Sequence, residues 1–188
     1  MKIFGIDPGS ERTGYGCVEH SGGRHHLVIC GSLAAPAAAT FPERLKHIHA
    51  GLLALLSECR PDCVAVETIF HGRNVRSALK LGHARGVALL AASEAGLAVV
   101  EYAPMEVKRA VVGYGRAEKP QVQQMVKLLL GLARVPSPHD AADALAVAIC
   151  HVHQSGAVAD ARARERLRAG AAAAPAPKSW RQYRPPTR

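Results

Sequence analysis

No apolar run in this chain is long enough to cross a bilayer, which argues against a helical membrane protein. The N-terminus opens directly on a strand-like pattern, without a charged leader or a cleavage site, so a cytoplasmic rather than a secreted protein is expected. Cysteine is sparse and poorly placed for chemistry. Cys17, Cys30, Cys59, Cys63 and Cys150 are odd in number and lack paired metal-ligand spacing. That pattern excludes a disulfide framework and a zinc ribbon, and it implies reduced, buried thiols. There is no internal repeat. Acid is the minority charge, 15 Asp and Glu against 24 Lys and Arg, for a net charge of +9. Most of that excess is in the last residues, because 155–188 carry eight basic residues against two acidic ones. The body is only mildly basic, so any case for nucleic-acid binding must rest on where its charges are placed.

At 188 residues the chain suits one domain able to bury a full core. We assign that domain to 1–154 and a flexible, basic, Ala/Arg/Pro-rich tail to 155–188. Lys2–Asp7 reads as a buried strand stopped by Pro8-Gly9. Thr13–Glu19 and Leu27–Leu33 follow as an antiparallel pair turning at Ser21-Gly22-Gly23. A helix over Pro42–Cys59 has Leu45, Ile48, Leu52, Leu55 and Leu56 on one face, and Thr40 and Glu43 have capping-box spacing at its start. Strands at Cys63–Glu67 and Leu97–Tyr102 then alternate with helices at about Arg73–Glu94, Pro104–Val112, Lys119–Leu130 and from just after Ser137-Pro138 to about His153. Beyond Gln154, at most a short helix near 157–169 is expected. The pattern predicts an α/β fold with a mixed five-stranded sheet, three antiparallel strands and then parallel ones, flanked by helices.

Four acids stand at the ends of apolar segments. Asp7 closes the first strand, where a solvated turn residue is the ordinary alternative. Glu67 follows Val64-Ala65-Val66 without a break, and a charge there needs a partner, a cation or a metal. Asp140 and Asp143 are three apart and share a helix face. Asp140 could simply complete a capping box with Ser137, with Pro138 at the first helical position. Asp143 is harder to dismiss among Ala141, Ala142, Ala144 and Ala146. His139 is a second-rank candidate as a metal ligand or base, with an exposed first-turn residue as the alternative. Together these acids form a hard, oxygen-rich set suited to Mg²⁺ or Mn²⁺. Two such ions roughly 4 Å apart can promote in-line attack on a phosphodiester.

The basic residues fall in two groups. Arg73, Arg76, Lys80 and His83 lie within one arc of the helix after Glu67, with no acids interleaved, and favour phosphate contact over a merely solvated face. The opposite arc, with Val75, Leu79, Gly82, Gly86, Leu89 and Ser93, suits either packing on the sheet or a two-fold dimer interface. Phe70, in a loop, either packs beneath it or stacks on an unpaired base, a contact worth ~1–3 kcal/mol. Lys108, Arg109, Arg116, Lys119 and Lys127 form the second group, and Lys119 is placed to stabilise charge at an attacked phosphate.

The opening G-I-D-P-G-S and T-G-Y-G resemble the ribonuclease H-like superfamily. The stretches V-A-V-E-T-I-F, N-V-R-S-A-L-K-L-G-H-A-R-G, V-V-G-Y-G-R-A-E-K-P-Q-V and H-D-A-A-D-A-L-A-V-A-I-C-H resemble its RuvC family of bacterial Holliday-junction resolvases, over roughly residues 1–153. The resemblance implies a ribonuclease H-like fold and a homodimeric, Mg²⁺-dependent endonuclease that nicks two opposing strands of a four-way DNA junction during recombination and repair. It also implies partnership with the branch-migration proteins RuvA and RuvB. The family's acidic tetrad falls on Asp7, Glu67, Asp140 and Asp143, its junction-wedging aromatic on Phe70, and its DNA-contacting lysines on Lys108 and Lys119. With these, Arg73, Asn74, Arg76, Lys80 and Arg116 complete the candidate DNA-binding set. A related nuclease acting on RNA is the alternative. An actin-like kinase would need a second domain, and a non-catalytic junction binder would have no use for four acids that repel DNA.

Overall fold

The computed structural model describes residues 1–68 and 75–171, with 157–171 as backbone only. Its elements in chain order are β1 (Lys2–Asp7), β2 (Arg12–Ser21), β3 (Arg24–Ala34), α1 (Phe41–Cys59), β4 (Cys63–Glu67), α2 (Val75–Glu94), β5 (Val99–Tyr102), α3 (Pro104–Val112), α4 (Lys119–Leu129) and α5 (His139–Ala171). The sheet order is β3-β2-β1-β4-β5, with β1–β2 and β2–β3 antiparallel and β1–β4 and β4–β5 parallel. This is the mixed five-stranded sheet that the segment pattern implies. Gly22 and Gly23, both at positive φ, turn the β2–β3 hairpin. At the start of α1, the Glu43 carboxylate accepts bonds from the Thr40 N–H and hydroxyl, both 2.7 Å.

Strand alternation sorts side chains to the two faces. Phe4, Ile6, Cys17, Val64 and Val66 pack with Ile48, Leu52 and Leu56 of α1 and Ala88, Ala91 and Ala92 of α2. Ile3, Val18 and Ala65 face the other way, toward α3, α4 and α5 through Val107, Val111, Val122, Val126, Leu145 and Ile149. Glycines on that second face let α5 lie almost on the sheet backbone. A Cβ at Gly5 would meet the Ala144 carbonyl oxygen at 2.0 Å, and one at Gly14 would meet the Asp140 carbonyl oxygen at 2.1 Å. Gly16 lies under Leu145 in the same way. Asp7 follows Ile3 and Gly5 by the two-residue period, and Glu67 follows Ala65. Both acids therefore face the helix that carries Asp140 and Asp143.

α5 begins at His139, directly after Ser137-Pro138 as read from the sequence, so the alternative with Pro138 as first helical residue does not hold. The end of the helix differs from the expectation, since it does not stop near His153. It continues to Ala171, because Ala, Arg, Glu and Leu favour helix and no proline interrupts them before Pro175. By contact density the chain divides into two units, Met1–Gln154 and Ser155–Arg188. All five cysteines are free. Cys17, Cys59 and Cys150 are buried and Cys30 and Cys63 half-buried, and burial pushes the Cys17 and Cys150 thiols up to about 12.

At the hairpin end of the sheet, His25 bridges His20 at 3.3 Å and His153 at 3.1 Å, and His153 Nδ1 reaches the Ala110 carbonyl at 2.9 Å. The carbonyl can only accept, so His153 donates to it. Neutral rings then satisfy the whole chain with one proton each. Burial, with the neighbouring rings, holds His25 down to about 4. Among the described residues no helix is long and apolar enough to cross a membrane.

Candidate active site

β1 and β4 run parallel with Ile6 beside Val66, so Asp7 and Glu67 emerge side by side at their carboxyl ends. In open α/β sheets that edge is the usual place for a ligand crevice. Asp143 comes down from the second turn of α5, whose N-terminal part the glycine contacts hold close to β1 and β2. A cleft of about 270 Å³ results, walled by Asp7, Glu67, Asp143, Lys108 and Lys119, with Val107 and Val122 at its base. Asp140 does not line this cleft. It stands at the rim, where its charge still acts on Asp7, and its carboxylate lies 3.8 Å from Arg12 Nε. It does not turn back to cap Ser137, so the capping-box reading of Asp140 fails.

The acids are poorly compensated. Burial, then Glu67 and Asp143, raises Asp7 from the ordinary carboxylate range to about 8, against an opposing pull from Lys119. Burial and Asp143 likewise raise Glu67, although a bond with Asp7 and the charges of Lys119 and Lys108 work the other way. Lys119 Nζ donates to Asp143 Oδ2 at 2.9 Å, and this bond raises the lysine's own pKa. Without divalent cations, then, the cluster is neutralised by a proton at Asp7, by Lys119 on Asp143 and by Arg12 on Asp140.

The carboxylates are drawn toward these protein cations. Accordingly, no group of three or more His, Cys, Asp or Glu among the described residues stands arranged to hold an ion. The donor chemistry nonetheless fits one. All the acids at the cleft and rim offer hard oxygen, neither sulfur nor imidazole lines the cleft, and a divalent cation would relieve the burial and the mutual repulsion that raise Asp7.

His139 is exposed and outside the cleft, its Nδ1 2.9 Å from Nε2 of the buried Gln123. Lys108 and Lys119 are at the cleft, whereas Arg116 is exposed on the loop before α4. Lys80 places Nζ 5.9 Å from the Phe41 ring centroid, and His83 meets the same ring edge-on. Arg76 is exposed at the start of α2. Phe70, Arg73 and Asn74 lie outside the described residues. Sequence reasoning missed Arg12, which has no periodic signature. Its one sequence cue is its position next to T-G-Y-G. It also missed Gln123, a polar residue on the buried side of α4.

The family model described as crossover junction endodeoxyribonuclease RuvC matches residues 3–151. The chain belongs to the RuvC family. RuvC of Chloroflexus aurantiacus is 53% identical over 150 residues, covering 80% of this chain and 92% of that relative. A Thermus thermophilus RuvC structure matches with a TM-score of 0.75 and 40% identity, over 82% of this chain and 95% of that one. A second, T. thermophilus RuvC in complex with Holliday junction substrate, matches with a TM-score of 0.76 and 38% identity over the same shares. The fold is thus that of the RuvC branch of the ribonuclease H-like group, which does not favour the RNA-directed alternative.

In this RuvC-family chain the α2 arc read as either sheet-packing or intersubunit is split, since Leu89 packs partly against the core while most of the arc does not. Gly82 and Gly86 have open space where a Cβ would be, and Val75, Leu79 and Leu90 are exposed. Leu79, Gly82, Gly86 and Leu90, with Leu45 of α1, border an open apolar groove of about 520 Å³. The helix packs on its own core through Ala84, Ala88, Ala91 and Ala92 instead.

Proposed function

We propose that this chain is a metal-dependent crossover-junction endodeoxyribonuclease that hydrolyses phosphodiesters in four-way DNA junctions. The observation that carries this reading is the convergence of Asp7, Glu67 and Asp143 on one cleft, with Asp140 at its rim, in a chain of the RuvC family. Asp7, Glu67, Asp140 and Asp143 would hold two Mg²⁺ ions, with Mn²⁺ able to substitute. The ions supply Lewis-acid activation of water and stabilisation of the leaving oxygen. His139, with Nδ1 toward Gln123, is a secondary candidate ligand. Lys119 and Lys108 balance the acids and offer donors to the phosphate beside them, and their fixed positions spare reorganisation when charge develops there. Burial of Asp7 and Glu67 excludes bulk water from one wall of the cleft.

A second copy of the chain fits the apolar groove on α2, because an exposed Val75–Leu79–Gly82–Gly86–Leu90 surface is self-complementary about a two-fold axis. That homodimer presents two clefts to opposing strands and gives symmetric nicks. Phe70, three residues after Glu67 in the sequence, serves as the junction wedge. Arg73, Asn74, Arg76, Lys80 and Arg116 contact phosphates, and the 155–188 tail is dispensable for junction affinity. Family membership makes RuvA and RuvB the expected partners and the cytoplasm the expected place of action.

The test is incubation with a mobile synthetic four-way junction and with a linear duplex, each with and without Mg²⁺. Paired, symmetric nicks in the junction alone, dependent on the ion, support the reading. Equal nicking of duplex or RNA, or cleavage in EDTA, refutes it.

A further inference from the structure

Arg12 has no part in the function described so far, yet it is bound to one of the acids. Its guanidinium approaches Asp140 only through Nε at 3.8 Å, beyond hydrogen-bond range, and no other ion pair engages it among the described residues. About half of its side chain is exposed, and Asp140 itself is 35% exposed. The two Nη groups, which form the planar fork that grips carboxylates and phosphates bidentately, are therefore available. The base of the side chain is rigid by contrast. Thr13, the next residue, is fully buried, donates from Oγ1 to the Gly9 carbonyl at 3.0 Å and accepts from the Gly9 N–H at 3.3 Å. Arg12 is thus anchored at the start of β2, on the turn that follows Asp7.

Lys119 supplies the comparison. The two α5 acids each have one protein cation, Lys119 on Asp143 inside the cleft and Arg12 on Asp140 at the rim. A divalent cation that takes oxygens from both acids displaces both partners. The long Arg12–Asp140 contact is the weaker of the two and yields first. The freed fork is then available beside Asp140, next to the cleft.

We propose that Arg12 is a metal-released phosphate contact: it neutralises Asp140 while the site lacks cations and, once Asp140 ligates one, grips a backbone phosphate of the strand entering the cleft. Cation binding and DNA binding are thereby coupled through one side chain. The inference rests on the nuclease reading above and adds a positioning residue to it.

The experiment uses the full chain, its Arg12→Gln variant and its Arg12→Lys variant, which keeps the charge but loses the fork. Junction binding is measured by fluorescence anisotropy in EDTA and in Ca²⁺, a divalent ion that takes oxygen ligands. Binding of Mn²⁺ to the DNA-free protein is followed by electron paramagnetic resonance. In Ca²⁺, R12Q binds about tenfold more weakly than wild type, the scale of one charge-assisted contact. Its log–log salt slope is shallower by about one per protomer. In EDTA the two bind within about twofold. Mn²⁺ binds R12Q several-fold more tightly, because Asp140 has lost its competitor, and R12K falls between in each measurement.

Equal binding in Ca²⁺ at every salt concentration would leave Arg12 as a charge balance and overturn the proposal. So would an equal loss in EDTA and Ca²⁺, which describes a permanent contact, or weaker Mn²⁺ binding by R12Q. Thermal melting of both variants checks the fold, and if R12Q melts early the same comparisons are read from R12K. Failure of the wild-type chain to bind a junction in preference to duplex would instead overturn the nuclease reading.

Discussion

Asp7 is the residue on which the metal-free site turns. It is held up to about 8 by burial and by Glu67 and Asp143, whereas an unfolded chain returns it to its ordinary value of 3.8. The native state therefore binds this proton more tightly, so stability falls as pH rises across that window. In EDTA, the melting temperature should drop between pH 5 and pH 8.5. Mg²⁺ should raise it more at the upper end, where the carboxylate it requires is already formed. A flat profile in EDTA would show that Asp7 is ionised throughout. Asp7→Asn should remove the slope and raise the pH 8 melting temperature in EDTA by about 2–4 °C, the shift that ~1 kcal/mol gives in a chain this size. The same substitution should cut single-turnover junction cleavage by at least ~10³-fold, with junction affinity unchanged or tighter as repulsion is relieved. Retained Mg²⁺-dependent nicking would contradict the assignment. All four acids were visible in the sequence because each ends an apolar segment, where a charge is conspicuous. Arg12 was not, since an arginine in a turn looks like any solvated residue until its neighbour in space is known.

Among the elements, α5 and its seat on β1 and β2 matter most. The T-G-Y-G stretch can be read from sequence as a family signature, but its physical reason appears only when α5 is in place. Gly14 and Gly16 are small because a helix backbone and Leu145 lie where their side chains would be. Gly14→Ala should therefore push back the turn that bears Asp140 and Asp143. We expect a loss of about 1–3 kcal/mol in urea unfolding and a fall in cleavage of up to ~10²-fold, as for a displacement near 1 Å. Gly156→Ala, exposed on the same helix with open space around it, should stabilise by up to about 1 kcal/mol. If both variants behaved alike, the contact at Gly14 would be unimportant. Strand and helix positions were legible from the two- and 3.6-residue periods, and the α3 limits agree with those read from sequence. The start of α5 directly after Ser137-Pro138 was legible as well, whereas its end was not, because the Ala- and Arg-rich stretch beyond Gln154 lacks an apolar period.

For the whole molecule, the exposed stripe on α2 is a surface that sequence could not resolve. Its spacing suits a buried face and an intersubunit face equally, and the structure shows that α2 packs on its own core chiefly through the alanines of the other side. Leu79→Glu should leave the melting temperature of the fold within a few degrees, since Leu79 is 60% exposed. It should, however, shift the sedimentation coefficient at micromolar concentration to that of a monomer and uncouple the paired nicks. A dimer that survives this change would place the two-fold axis elsewhere. Finally, α5 is at once the most buried helix of the domain and the carrier of two of the acids, with Ala141, Ala142 and the run from Ala144 to Cys150 inaccessible to solvent. Such a helix leaves the catalytic centre no route to fail by itself. Residual activity after brief heating should follow the global melting curve point for point, rather than decaying tens of degrees below it as it does where reactive groups hang from loose peripheral segments.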